Sequence, residues 1–166
     1  ILAKILIFGN SGSGKSTLAK HLSEKEGLGH LDLDVLAWLP TSPPQRMPIE
    51  ESRAKIEAFL KDNKSWVIEG CYTDLLELLA HEASEIIFMD LSIEQCINNA
   101  KSRPWEPHKY ESKEAQDANL EMLINWIKDY KTRSDPFSYG AHLRFYESFQ
   151  GEKMVYVENV EHKLFH

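Results

Sequence analysis

Apolar and polar positions along this chain follow two periods in turn. Ile5-Leu6-Ile7-Phe8 is a continuous apolar run with β-branched residues, the pattern of a strand buried on both faces. Gly9 to Gly14 interrupts it. Lys15 to Lys25 then carries Leu18 and Leu22 at helical spacing, with Gly27 placed as a C-cap. Gly29 to Asp34 alternates apolar and polar and predicts a second strand ending at two aspartates. Pro40 to Pro48 holds four prolines in nine residues and predicts a loop. Ile56, Phe59 and Leu60 share a face of a helix predicted over Ile49 to Leu60. Trp66-Val67-Ile68 predicts a third strand, Leu75 to Ala80 a short helix, and Ile86-Ile87-Phe88-Met89 a fourth strand. Helices follow over Ile93 to Lys101, Ala115 to Tyr130 and Phe137 to Phe149, and Met154 to Val157 predicts a last strand. Short apolar strands alternating with helices imply an α/β fold, a parallel sheet with helices on both faces.

One segment changes this from a fold class into a chemistry. Gly9-Asn10-Ser11-Gly12-Ser13-Gly14-Lys15-Ser16 satisfies G-x-x-x-x-G-K-[ST] at every fixed position, directly after a buried strand and at the start of a helix. Glycines let successive backbone N–H groups turn inward as an anion nest, and the helix N-terminus adds positive potential. Lys15 is placed to reach the β- and γ-phosphates of ATP, and Ser16 to offer its hydroxyl to Mg²⁺, with Thr17 completing the nucleotide-binding stretch.

Length and charge narrow the setting. With 166 residues the chain suits one domain. Its net charge of −7, from 19 basic and 26 acidic residues, argues against direct nucleic-acid binding. Cys71 and Cys96 form no C-x-x-C pair, so neither a disulfide framework nor a zinc site is expected. No apolar run approaches the ~20 residues that span a bilayer, and the opening residues lack the basic flank of a signal peptide. The expected setting is the cytoplasm. His162 and His166 share a helical spacing but have no obvious further ligand, so no metal site is expected there.

Ligands of open α/β sheets sit beyond the carboxyl ends of the strands. Asp32, Asp34, Glu69 and Asp90 fall there. Two apart in a strand, Asp32 and Asp34 face the same side, one available to a metal and the other to an acceptor hydroxyl; the alternative is that they cap the next segment. Glu69, before Gly70, is an alternative metal carboxylate. Asp90 is placed to cap the helix starting near Ile93. Lys101, Arg103, His108, Lys109 and Lys113 make a local basic patch around a Pro-Trp-Glu-Pro stretch, read as a lid insertion over about 103–114. Arg103, then Arg133, are the candidates to stabilise a moving phosphoryl group. Trp105 is a hinge or a packing anchor.

In order along the chain, GNSGSGKST, HLDLDVLAW, WVIEGCY and IIFMDLS resemble the corresponding segments of the adenylate kinase-like and shikimate kinase-like P-loop kinases. The pairing of Leu33-Asp34 to Trp38 with Trp66 to Tyr72 is most similar to the small kinase-like DNA topology modulation proteins. The resemblance implies a three-layer P-loop fold, a five-stranded parallel sheet in the order 2-3-1-4-5, and a lid after strand four. It implies ATP on Gly9 to Thr17, magnesium on Ser16 and Asp32, and an acceptor near Asp34, Trp38, Glu69 and Tyr72. Where adenylate kinases carry Phe-Pro-Arg after strand three, this chain has Cys71-Tyr72-Thr73, which argues against a nucleoside monophosphate as acceptor. The expected function is transfer of the γ-phosphoryl group of Mg-ATP to a small acceptor. An ATP-binding regulator related to DNA topology and a plain ATPase are the alternatives.

Overall fold

The computed structural model describes residues 2–159. His162 and His166 lie outside them. The described chain runs β1 (Lys4–Gly9), α1 (Lys15–Glu26), β2 (Gly29–Asp32), α2 (Asp34–Ala37), β3 (Trp38–Leu39), β4 (Gln45–Arg46), α3 (Ile49–Asp62), β5 (Trp66–Glu69) and α4 (Thr73–Leu79). It continues through β6 (Glu85–Met89), α5 (Ile93–Ser102), α6 (Lys113–Ala118), α7 (Leu120–Lys128), α8 (Tyr139–Ser148) and β7 (Glu152–Tyr156).

Five strands form a parallel sheet in the order β2-β5-β1-β6-β7, which is the expected 2-3-1-4-5 once the small hairpin is set aside. Residues two apart on a strand face the same side, so β1 divides its apolar run between two cores. Leu6 and Phe8 join Ile68, Phe88, Leu75, Leu79 and Phe145 on one face. Ile5 and Ile7 join Leu18, Val67, Ile87, Met89, Cys96 and Ile127 on the other. Each fully buried side chain of this size contributes roughly 1.5–3 kcal/mol of transfer free energy. The central strand therefore holds its carboxyl end, where the glycine loop begins, in a fixed place.

Four local expectations are corrected. Strand β2 stops at Asp32, and Asp34 opens the one-turn helix α2. The two aspartates are thus brought together by a turn, in which the Asp34 N–H donates to Asp32 Oδ1 at 2.9 Å, and not by strand alternation. The proline-rich loop contains a short antiparallel hairpin, with Trp38 paired to Arg46 and Leu39 to Gln45. The long helix over Ala115 to Tyr130 breaks at Asn119, whose N–H turns to several carbonyls of the preceding turn. Asp90 is not the cap of α5: Ser92 accepts the Gln95 N–H at 3.1 Å, while the Asp90 N–H donates to the Tyr156 carbonyl at 2.7 Å. Serine caps the helix because its hydroxyl reaches an N–H left without an intrahelical partner.

Candidate functional site

The glycine loop takes the shape its spacing implies. Gly12 and Gly14 have φ of 79° and 88°, a left-handed region that side chains resist. Gly12 also lies so close to α5 that an added Cβ would sit 2.4 Å from the Cys96 carbonyl oxygen. The loop is held from below and from the side. Asn10 and Ser13 are buried, and Asn10 Nδ2 donates to the Ile127 carbonyl at 3.3 Å. Asn99 Nδ2 donates to the Gly12 carbonyl at 2.9 Å and to Asn159 Oδ1 at 2.8 Å, and Asn159 Nδ2 donates to the Ser13 carbonyl at 3.1 Å. These bonds occupy the Gly12 and Ser13 carbonyls, and the Ser13 N–H donates to the Asn10 carbonyl at 3.2 Å. Lys15 Nζ donates to the Asn10 carbonyl at 2.7 Å, close to the strand end it guards.

A cavity of about 660 Å³ opens above this loop. Ser11, Gly12, Gly14, Lys15, Ser16 and Thr17 line one part, and Asp32, Asp34, Glu69, Gly70 and Cys71 line another. The segment after α5 contributes Arg103, Pro104, Glu106, Lys109 and Tyr110. The sheet order explains the meeting: β2, β5 and β1 are neighbours, and Asp32 lies in register with Glu69, as Glu69 does with Ile7.

Of the residues expected in the site, Gly9, Asn10 and Ser13 form the buried underside of the loop and do not line the cavity. Trp38 and Tyr72 stand behind Asp34. The Trp38 indole N–H donates to the Tyr72 hydroxyl at 2.9 Å, and the Tyr72 hydroxyl donates to Asp34 Oδ1. Glu69, 2% exposed, accepts the Ser16 hydroxyl at 2.8 Å on Oε1 and meets His30 Nε2 at 2.8 Å on Oε2. Arg103 reaches Glu106 at 2.9 Å. Arg133 does not line the cavity: its guanidinium lies 3.7 Å from the Trp126 ring centroid and donates to the Trp126 carbonyl at 2.7 Å.

Sequence reasoning placed Lys109 in a basic patch and passed over it. In the structure its ammonium joins the segment after α5 to the turn between β2 and α2, 2.8 Å from Asp34, 3.2 Å from Asp32 and 3.7 Å from Glu106. No fixed spacing links a lid lysine to these aspartates, so only the basic patch itself was a signal.

The charges perturb one another. Burial, then the neighbouring Glu69 and Asp34 carboxylates, raise the Asp32 pKa, against the pull of Lys109. Burial also acts to raise Asp34, but the Lys109 ammonium, the Tyr72 hydrogen bond and the charge of Lys15 outweigh it and hold this carboxyl below its ordinary value. Burial acts to lower Lys109, and its carboxylate partners overcome this and raise it. Burial pushes the Cys71 thiol up to about 12, so the one thiol lining the cavity is not a nucleophile at neutral pH.

Among the described residues no three His, Cys, Asp or Glu side chains are placed to hold a metal by themselves. The donor set of Ser16, Asp32 and Glu69 is nonetheless all hard oxygen. It suits Mg²⁺, which takes one or two carboxylates and completes its shell with water and phosphate.

A glycine nest and helix N-terminus at the carboxyl edge of a parallel β2-β5-β1-β6-β7 sheet define a P-loop nucleotide-binding protein of kinase-like fold. A family model described as an AAA domain matches residues 5–119. The match covers well over half of the chain, which belongs to this family. The fold also matches the crystal structure of shikimate kinase from Bacteroides thetaiotaomicron, with a TM-score of 0.53 over 95% of this chain and 87% of that one. At 14% identity this likeness is one of fold. Comparison with the curated proteins gives no match. Among the described residues no helix is long and apolar enough to cross a membrane.

Proposed function

We propose that this protein is an ATP-dependent phosphotransferase that moves the γ-phosphoryl group of Mg-ATP to a hydroxyl of a small molecule. The observation that carries this reading is the shared cavity. The phosphate loop with Lys15 and Ser16 opens into the same space as Asp34, and the lid supplies Lys109 and Arg103 to it. A bare nucleotide switch needs the loop; it does not need an ionised aspartate at the start of α2 opening into the same cavity.

In this reading the loop N–H groups and Lys15 hold the phosphates. Ser16 and Asp32 would hold magnesium, with Glu69 fixing the Ser16 hydroxyl, and the metal would supply positive charge to the phosphate oxygens. Asp34 accepts a hydrogen bond from the acceptor hydroxyl and aims its oxygen in line. Its lowered pKa keeps it ionised and makes it a weak base, which suits a loose transition state in which the proton leaves late. Arg103 and Lys109 turn from their carboxylate partners toward the moving phosphoryl group. Arg133 is assigned no contact with it.

The charge of the wall constrains the acceptor. Arg103 is engaged by Glu106, and Lys109 by Asp32, Asp34 and Glu106. Arg46, on the hairpin beside Trp38 and Tyr72, is engaged by Asp74 at 3.0 Å. An acceptor carrying phosphate or carboxylate would face Asp32 and Asp34, whose nearest cation is already shared between them, at a cost of several kcal/mol for like-charge contact. The reading is therefore a hydroxyl acceptor without a strong negative charge.

The test is ATP turnover by pure protein with Mg²⁺, alone and with pools of neutral hydroxyl compounds, nucleosides and monophosphates, beside Asp34→Ala. Stimulation by a neutral pool that Asp34→Ala abolishes is expected. Bound ATP with no transfer to any pool would overturn the reading.

A further inference from the structure

A buried line of hydrogen bonds runs behind Asp34 and takes no part in the roles above. His142, on α8, is fully buried and packed edge-on to Phe8 and Phe88, with ring centroids 5.6 and 6.0 Å away. Its Nε2 lies 2.8 Å from the Cys71 carbonyl oxygen, and its Nδ1 lies 2.6 Å from the Tyr130 hydroxyl. A carbonyl only accepts, so Nε2 carries the proton. Nδ1 is then the acceptor, and the Tyr130 hydroxyl donates to it. Burial holds the ring neutral at pH 7, and in the neutral ring each of these bonds has one direction, with the proton on Nε2.

The Cys71 carbonyl is the middle of a short segment with very little freedom. On one side the Gly70 N–H donates to the Ile7 carbonyl at 3.0 Å; on the other the Thr73 N–H donates to the Pro136 carbonyl at 3.2 Å. Between them stands Tyr72, whose hydroxyl takes the Trp38 indole N–H and gives its own proton to Asp34. Rotation of the peptide after Cys71 would swing the Tyr72 backbone and pull its hydroxyl from Asp34. Of the contacts on this segment, the His142 bond is the one made to that peptide. Tyr130 itself is anchored, its N–H donating to the Ile127 carbonyl at 3.2 Å, the same carbonyl that Asn10 of the phosphate loop takes at 3.3 Å.

We infer that His142 is a positioning residue: through the Cys71 carbonyl it sets the placement of Tyr72, and through Tyr72 that of Asp34 and Trp38, on the acceptor side of the cavity. Naming this side the acceptor's rests on the phosphotransferase reading; the hydrogen-bonded line itself does not. Its far end is the turn after α7 that also holds the phosphate loop.

The test uses ¹⁵N-labelled full-length protein without nucleotide. Long-range ¹H–¹⁵N spectra of the wild type report the His142 tautomer, and the Trp38 indole cross-peak reports the Tyr72 hydroxyl. The expected results are a neutral Nε2–H ring at pH 7, a Trp38 cross-peak displaced in His142→Leu, and its return in His142→Gln, whose amide can donate to Cys71. Gly12 and Gly14 amide peaks stay in place throughout. An Nδ1–H tautomer in the wild type would overturn the inference without any variant. So would a Trp38 peak unmoved by His142→Leu, or phosphate-loop peaks that move as far as Trp38. If the leucine variant does not fold, Tyr130→Phe removes only the hydroxyl. It is expected to shift Trp38 less than any loss of the Cys71 bond, with the Nε2–H tautomer kept; a switch of tautomer there with Trp38 unmoved overturns the inference. None of these readouts uses turnover, so a failure of phosphotransfer leaves them interpretable.

Discussion

Gly12 and Gly27 have similar left-handed backbones, with φ of 79° and 68°, but different surroundings. A Cβ on Gly27 meets nothing within 4 Å, whereas one on Gly12 stands 2.4 Å from the Cys96 carbonyl oxygen and 3.1 Å from its carbon. Gly27→Ala therefore carries only the conformational cost of alanine in this region, about 1–2 kcal/mol. Gly12→Ala carries that cost and a clash with the backbone of α5, which cannot swing aside as a long side chain does. Relieving it moves the loop outward by several tenths of an ångström, at a further ~1–3 kcal/mol on the scale of overpacked cores. The move also weakens the Asn99 bond to the Gly12 carbonyl, worth about 1 kcal/mol. Urea unfolding should place Gly12→Ala below Gly27→Ala by roughly 2–4 kcal/mol, the sum of these last two terms. Because the displaced groups are the phosphate ligands, ATP affinity should fall at least about tenfold, or 1.4 kcal/mol, in Gly12→Ala and stay at the wild-type value in Gly27→Ala. Equal losses of stability in the two variants would refute the argument from α5. Wild-type ATP affinity in Gly12→Ala would refute the placement of the nest.

Three further outcomes are expected. Lys109→Met leaves Asp32, Asp34 and Glu106 facing one another without their shared cation. It should lower the melting temperature, and added Mg²⁺ should restore it by more than it raises the wild type, read by thermal unfolding with and without the ion. Burial lowers the His142 pKa to about 4, so between there and the ordinary histidine value near 6.5 the unfolded chain binds a proton that the folded chain refuses. Stability from this source is complete above that window and is lost as pH falls through it, by up to about 3 kcal/mol; in His142→Gln that part of the pH dependence should vanish. Turnover assays should show phosphomonoesters failing to stimulate ATP use in the wild type, since Asp32 and Asp34 repel them. Stimulation by monophosphates alone would reverse the assignment of a neutral acceptor.

The pattern of this chain discloses what repeats at short range and hides what is made by a single long-range contact. β1 was legible because every residue from Ile5 to Phe8 is apolar, as burial on both faces demands, and the parallel sheet followed from alternation with helices, whereas its strand order came only from the resemblance to P-loop kinases. The phosphate loop was legible because its function is a backbone shape that glycine at fixed intervals makes possible. Asp32 and Asp34 were legible as a pair, but the reason was not. Strand periodicity brought them to one side by the wrong geometry, because nothing local marks the turn into α2 that ends β2 at Asp32. Lys109 was read only as part of a basic patch, and Arg133 was ranked above it although both are cations in polar segments. They differ in what folds against them, Arg133 on the Trp126 ring and Lys109 across two aspartates. His142 had no signal at all. A histidine four residues after Ser138 on a helix reads as an ordinary amphipathic position, and only the packing of α8 under β1 and β6 turns it toward Cys71. The phosphate loop is thus written in consecutive residues, while the wall opposite it is assembled from β2, α2, β5 and the segment after α5. On the phosphotransferase reading, such a wall can change its acceptor by single substitutions that leave the phosphate loop intact, so the loop motif carries no information about the acceptor.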